Sequence, residues 1–236
     1  MKHSPKPSQL QVKSRKGDSR SPFAAMRGKE VSVGALINAF VTTSRKRRRF
    51  PRRGQSSGLL VMMIGLPASG KSTLTDAFRQ AGFVHLNKDA IRQELYGDAS
   101  AVGDIKEVNR LFYSRLEEAC QASANIVVDN LNLNFFYRRG PAACAREHGY
   151  ADITNIVLDI PLEECLKRNA NRDRKVPEEV IRQHAQTLRA GFPTSSEGRL
   201  VVLGNSLNSR NRFVVKRVRA PLPRLPQNLP AKPNSQ

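Results

Sequence analysis

Short, wholly apolar segments alternate along the chain with longer amphipathic ones, and that rhythm predicts strands followed by helices. LLVMMI at 59–64 has no polar position, which suits a strand covered on both faces. KSTLTDAFRQAG behind it has helical spacing and stops at Gly82. GFVHLN (82–87) predicts a short strand, and DAIRQELYG (89–97) a helix with an acid at its entrance. DIKEVNRLFYSRLEEACQAS (104–123) predicts a longer helix with Val108, Leu111, Phe112, Leu116 and Ala119 on one face. NIVVDN (125–130) is a further strand, and FFYRRGPAACAREHG (135–149) is mostly helical despite Pro141. DITNIVLDIP (152–161) contains a strand, LEECLKRNANR (162–172) a helix, and PEEVIRQHAQTLRAG (177–191) a helix with proline at its first turn. Such alternation implies a three-layer α/β fold with a parallel sheet. Sites in sheets of this kind lie at the carboxyl ends of the strands.

Charge divides the chain differently. The formal net charge is +20. Residues 1–57 hold 15 Lys and Arg against two acids, residues 199–236 hold eight against none, and residues 58–198 hold 17 against 18. A nearly neutral domain at 58–198 is therefore expected between two basic arms. The first arm opens on a Ser-, Pro- and Lys-rich stretch with little to bury, for which disorder is expected. VSVGALINAFV (31–41) within it predicts one docked helix, and RKRRRFPRRG (45–54) follows with seven cations. That cluster would attract a phosphate backbone, although a targeting signal or a solvated linker has the same composition. The proline-rich end reads as an extended, disordered tail. At 236 residues and 39% hydrophobic content the chain can bury one core or at most two. No apolar run is long enough to span a bilayer, so no membrane partner is expected. Cys120, Cys144 and Cys165 lack a CxxC pairing and read as small, reduced core residues of a cytoplasmic protein. Nothing in the pattern fixes an oligomeric state.

GLPASGKS (65–72) matches G-x-x-x-x-G-K-[ST] between a predicted strand and a predicted helix, the context the motif requires. Gly65 and Gly70 permit the backbone to turn successive N–H groups inward around anionic oxygens. The candidate nucleotide-binding set is Gly65, Ala68, Ser69, Gly70, Lys71, Ser72 and Thr73. Lys71 would reach the β- and γ-phosphates of ATP and the Ser72 hydroxyl would ligate Mg²⁺. Asp89 lies just past the second strand with Arg92 one turn on; it could cap its helix or accept a proton from a phosphoryl acceptor. Asp129 ends the third strand, where an acid can act on Mg²⁺ through water, orient a cation, or cap a turn. KRNANRDRKVP (167–177) sets five cations between two helices, a candidate lid whose guanidiniums would neutralise a transferring phosphoryl group.

GLPASGKST, LNKDAIRQ, VVDNLNLN and LKRNANRDRKVPEEVI, in this order, resemble the kinase module of polynucleotide 5′-hydroxyl kinases over residues 59–190. The resemblance implies a P-loop kinase that uses ATP and Mg²⁺ to phosphorylate 5′-hydroxyl ends of DNA or RNA. It implies that Lys71 and Ser72 bind the phosphates and Mg²⁺, and that Asp89 is the general base. Arg92 would hold the phosphate next to the acceptor nucleoside, and Asp129 would help organise the site. Arg172 matches the lid arginine, Arg168 lies one turn before it and both join the nucleotide-binding set, and a lid one residue shorter than the family pattern leaves Arg174 as the alternative to Arg172. Lys88 stands where the pattern often has arginine, which keeps charge but loses the fork geometry. No DxDGT motif occurs, so no 3′-phosphatase activity is expected. Two other readings share the P-loop: a kinase of a small-molecule hydroxyl, and a nucleic-acid-binding ATP switch.

Overall fold

A computed structural model describes residues 21–49, 54–101, 103–206 and 212–222. Seven strands form one sheet in the order β1-β7-β6-β5-β2-β4-β3. The central strand is β2 (Ser56–Gly65), flanked in parallel by β4 (Ile126–Asp129) and β5 (Tyr150–Leu158). Beyond them lie β3 (Val84–Leu86) against β4 and β6 (Arg199–Asn205) against β5, again parallel. The far edge departs from the expected all-parallel sheet: β7 (Arg212–Arg219) runs antiparallel to β6, and β1 (Glu30–Ser32) antiparallel to β7.

Because side chains alternate across a strand, the apolar run of β2 feeds two cores. Leu60 and Met62 pack with Ile126 and Val128 under α4 (Lys88–Tyr96), α5 (Ile105–Gln121) and α6 (Phe135–Glu147). Leu59, Val61 and Met63 pack under α2 (Val33–Arg49), α3 (Lys71–Gln80) and α7 (Leu162–Ala170). The three layers match the expected class, and Val108, Phe112, Leu116 and Ala119 form the buried face of α5, with Leu111 partly buried. A last helix, α8 (Glu178–Ala190), contributes Ala185 and Leu188. Cys120 and Cys165 are buried, and desolvation pushes the Cys120 thiol up to about 12, so these are protonated core residues.

The expected boundaries at 57/58 and 198/199 do not coincide with the edge of this sheet. Residues 199–205 and 212–219, expected to begin a tail, are β6 and β7. In β7, Phe213 and Val215 face the core while Arg212, Lys216, Arg217 and Arg219 are turned away from it, so the strand carries basic charge without being an unstructured arm. The expected docked helix at 31–41 is a strand and then a helix continuing to Arg49, preceded by the short α1 (Pro22–Met26). Phe23, Leu36, Ile37 and Phe40 enter the same core as Phe78. Arg47 pairs with the buried Asp152 at 3.1 Å, so one cation of the basic cluster serves the fold. The disorder expected for residues 1–20 and 223–236, and Arg52 and Arg53 of the cluster, lie outside the described residues. Among the described residues no helix is long and apolar enough to cross a membrane.

Candidate active site

The loop between β2 and α3 has the backbone of an anion cradle. Ala68 (φ 60°) and Gly70 (φ 96°) are left-handed, and no side chain caps the first turn of α3. Its first N–H groups therefore remain for a ligand. A Cβ at Gly65 would lie 2.7 Å from Ser69 Oγ and 3.3 Å from Leu158 Cβ, so a side chain there would displace the Ser69 hydroxyl from the cradle. That hydroxyl is buried without a hydrogen-bond partner among the described residues. Lys71 Nζ donates to the carbonyls of Gly65 (2.9 Å) and Leu66 (2.7 Å), folded back on its own loop. Burial lowers its pKa to about 8, with Asp129 opposing the shift and Arg172 adding to it. Ser72 and Thr73 are exposed at the start of α3.

Asp129 lies beside the loop, its position on β4 in register with Met63 of β2. It is largely buried, accepts a 3.4 Å hydrogen bond from Asn87 Nδ2, and lies 3.5 Å from His85 Nε2. Asn87 caps α4: its Oδ1 accepts from the N–H groups of Asp89 (2.6 Å) and Ala90 (3.1 Å). Asp89 is thereby freed from the capping role open to it in the sequence. Its carboxylate is half-exposed, 2.7 Å from the Arg92 guanidinium and 3.8 Å from that of Arg174. Lys88 donates to Asn109 Oδ1 at 2.7 Å and lies 5.1 Å from the centre of the Phe112 ring; burial and the charge of Arg92 lower its pKa.

The two lid arginines go to different places. Arg172 is close enough to Lys71 for its charge to depress the ammonium, while Arg174 reaches Asp89. Arg168, expected in the nucleotide-binding set, is engaged elsewhere. Its Nε donates to Glu164 at 2.7 Å and another guanidinium nitrogen to Asn205 at 2.6 Å, fastening α7 to the end of β6.

Two contributors escape sequence reasoning. Half-buried His184 on α8 titrates below its ordinary value through burial and the charge of Lys71, which places α8 beside the loop. Arg138, buried at 1% side-chain exposure, pairs with Glu197 at 2.7 and 3.1 Å and donates to the carbonyls of Asn132 (2.9 Å) and Gly191 (2.8 Å). Asn132 in turn donates to Met63 O at 2.9 Å, so this cluster ties the loop after Asp129 to the strand that carries the phosphate cradle. Helical position alone marks Arg138 as one more exposed cation; its partners are remote in the chain.

The profile of a family described as an AAA domain matches residues 60–193, more than half of the chain. A putative bifunctional polynucleotide kinase/RNA ligase of Autographa californica nuclear polyhedrosis virus is 27% identical over 151 residues, covering 57% of this chain and 21% of that protein. An L-seryl-tRNA(Sec) kinase of Methanococcus maripaludis is 31% identical over 131 residues, covering 52% of this chain and 50% of that protein. The chain thus spans at most half the length of these relatives. Among solved structures, a Pnkp1/Rnl/Hen1 RNA repair complex shares the fold with a TM-score of 0.51 at 23% identity, over 57% of this chain and 45% of that one.

Proposed function

The chain belongs to this AAA-domain family, and on that premise we propose that it is a P-loop kinase that transfers the γ-phosphate of ATP to the 5′-hydroxyl of DNA or RNA. The observation that carries the reading is the Asp89 carboxylate held between Arg92 and Arg174 at the carboxyl edge of the sheet. An isolated small-molecule hydroxyl needs only a base, whereas a nucleotide end sets a phosphodiester beside the hydroxyl and is matched by a base with a guanidinium next to it.

In this mechanism the free N–H groups of α3 and Lys71 hold the β- and γ-phosphates. The oxygen donors Ser72 and Asp129 suit Mg²⁺, which neutralises charge on the β- and γ-phosphates when bound. Arg92 exchanges its bond to Asp89 for the acceptor's phosphate, which leaves the carboxylate to receive a proton. As the 5′-oxygen bonds to the γ-phosphorus, the bond to the bridging oxygen of ADP breaks and the hydroxyl proton passes to Asp89. Arg172, near Lys71, stabilises charge on the transferring phosphoryl group.

Transfer of labelled phosphate from ATP to 5′-hydroxyl DNA and RNA oligonucleotides, 3′-mononucleotides, nucleosides and serylated tRNA tests the reading. Oligonucleotides and 3′-mononucleotides are expected to be labelled, and Arg92→Ala is expected to raise KM for both by about ten- to a hundred-fold, the loss of one charge-assisted contact. Label confined to nucleosides would overturn the assignment. The similarity to an L-seryl-tRNA(Sec) kinase favours a second reading, in which the acceptor is the free hydroxyl of a serine whose carboxyl is esterified to tRNA, and label confined to serylated tRNA would establish it.

The position of Lys71 also sets a pH dependence. Its pKa of about 8 means the free ammonium loses its proton as pH rises through that value. ATP favours the charged form, so binding takes up a proton and weakens above pH 8. Metal-free ATP affinity measured by calorimetry at pH 9 should be about tenfold below that at pH 7. Equal affinities at the two values would show that Lys71 does not meet the phosphates.

A further inference from the structure

Four aromatic side chains are exposed among the described residues, three in the first turn of α6 and one on α5 whose hydroxyl reaches α6. Phe135, Phe136 and Tyr137 are consecutive in its first turn, at 46%, 79% and 62% exposure. Tyr113 of α5, exposed at 39%, sets its hydroxyl in the space that a side chain at Gly140 would need, one turn along the same helix. Elsewhere the described aromatic rings are buried or partly so, so packing does not explain this patch.

Its place relative to the site is fixed by contacts. Asn130 Oδ1 accepts the N–H of Lys88, the neighbour of Asp89, and the chain then runs directly to the Asn134 cap of α6. From the other side, Lys88 lies over Phe112, whose ring is 5.3 Å from that of Tyr113. The start of α6 therefore lies at the same carboxyl end of the sheet as Asp89, joined to its neighbour Lys88 through Asn130. Phe135 borders a cavity of about 570 Å³ whose lining sets Arg138, Arg139 and Arg146 against Glu147 and Glu197; Arg138 is spent on Glu197, whereas Arg139 is exposed with no hydrogen bond or ion pair among the described residues.

Exposed rings grouped at one helix start, two of them 6.2 Å apart, next to an exposed guanidinium, suit unpaired bases joined by phosphates. We propose that Phe135, Phe136, Tyr137 and Tyr113 form a stacking platform for the first unpaired bases behind a polynucleotide 5′ end, with Arg139 taking a phosphate between them. The inference rests on the polynucleotide reading above and sharpens it: the platform favours a single-stranded acceptor several nucleotides long over a mononucleotide, because only a longer chain reaches from Asp89 onto α6.

The test uses the full chain and single-stranded 5′-hydroxyl oligonucleotides of increasing length, with 3′-mononucleotides for comparison. Phe136→Ala combined with Tyr137→Ala should raise the oligonucleotide KM by at least about tenfold, at a typical loss per stacked base. KM for ATP and for the 3′-mononucleotide should stay unchanged, as should the melting temperature. Phe136→Tyr should keep oligonucleotide affinity and Phe136→Leu should not, which separates stacking on a ring from simple apolar contact. The stacking variants should leave the slope of log affinity against log salt as it was, whereas Arg139→Ala should lower it by about 0.7, the share of one single-strand phosphate. If the wild-type protein labels oligonucleotides and the double variant does so with unchanged KM, the platform is wrong and the acceptor reading stands. If the wild-type protein labels no oligonucleotide, both fall together.

Discussion

Asp89→Asn is expected to lower kcat for 5′-end phosphorylation by about 10²- to 10⁴-fold, the range for removal of a positioned general base, with ATP affinity unchanged. The structure makes this substitution unusually clean. An aspartate in the first turn of a helix would ordinarily be suspected of capping it, and its loss would then confuse stability with chemistry. Here Asn87 caps α4, accepting from the N–H groups of Asp89 and Ala90, and the Asp89 side chain points instead to Arg92 and Arg174. Asparagine keeps the size of the side chain and removes only its charge and its ability to take a proton. The stability cost is limited to the favourable effect of an acid near a helix N-terminus, about 0.3–1 kcal/mol, and the half-exposed pair with Arg92, about 0.2–1 kcal/mol. Single-turnover labelling with saturating ATP gives the rate directly, and thermal denaturation supplies the control. A rate within a few-fold of wild type would remove Asp89 from the chemistry, while a loss of ATP binding would place it in the nucleotide site instead.

Legibility in the sequence followed the range of the interactions involved. The phosphate loop was readable because strand, glycines, lysine and helix are contiguous, and its conformation is set within the segment itself. Asp129 was readable as the residue that ends an apolar strand, and the structure places it where its charge acts on Lys71. What misled was composition at the ends. RLVVLGN (199–205) is an apolar run like the other strands, yet the basic residues that follow it suggested a tail; RFVVKRVR pairs with it by turning cations outward along an edge of the sheet. The same holds for 30–49, whose charge hides a strand that pairs with residues 212–214 far along the chain. The bond from Arg168 to Asn205 was not legible, because Asn205 belongs to a strand hidden by the charge of the segment around it.

Arg138→Met should be the most damaging substitution away from the chemistry, costing about 3–5 kcal/mol of folding stability, as expected when one partner of a buried ion pair is removed. Arg138 is almost fully buried, and its guanidinium satisfies both oxygens of Glu197 together with two backbone carbonyls. Methionine fills much of the volume but leaves the Glu197 carboxylate with the N–H of Thr194 as its remaining hydrogen bond among the described residues. For a chain of this size the loss corresponds to a fall of about 10 °C in melting temperature. Pairing Arg138→Met with Glu197→Met removes the stranded charge, so the double variant should recover a large part of the single variant's loss even though it also lacks the ion pair. Strictly additive losses would mean that Glu197 is not the partner that makes Arg138 costly to remove. Activity should follow a different course from stability. Asn132, held by Arg138 through its carbonyl, donates to Met63 at the end of the strand that carries the phosphate loop, and neither methionine rebuilds that bond. The double variant is therefore expected to regain a large part of its melting temperature while kcat stays depressed, which would identify the cluster as the brace that sets the Asp129 loop against the phosphate cradle.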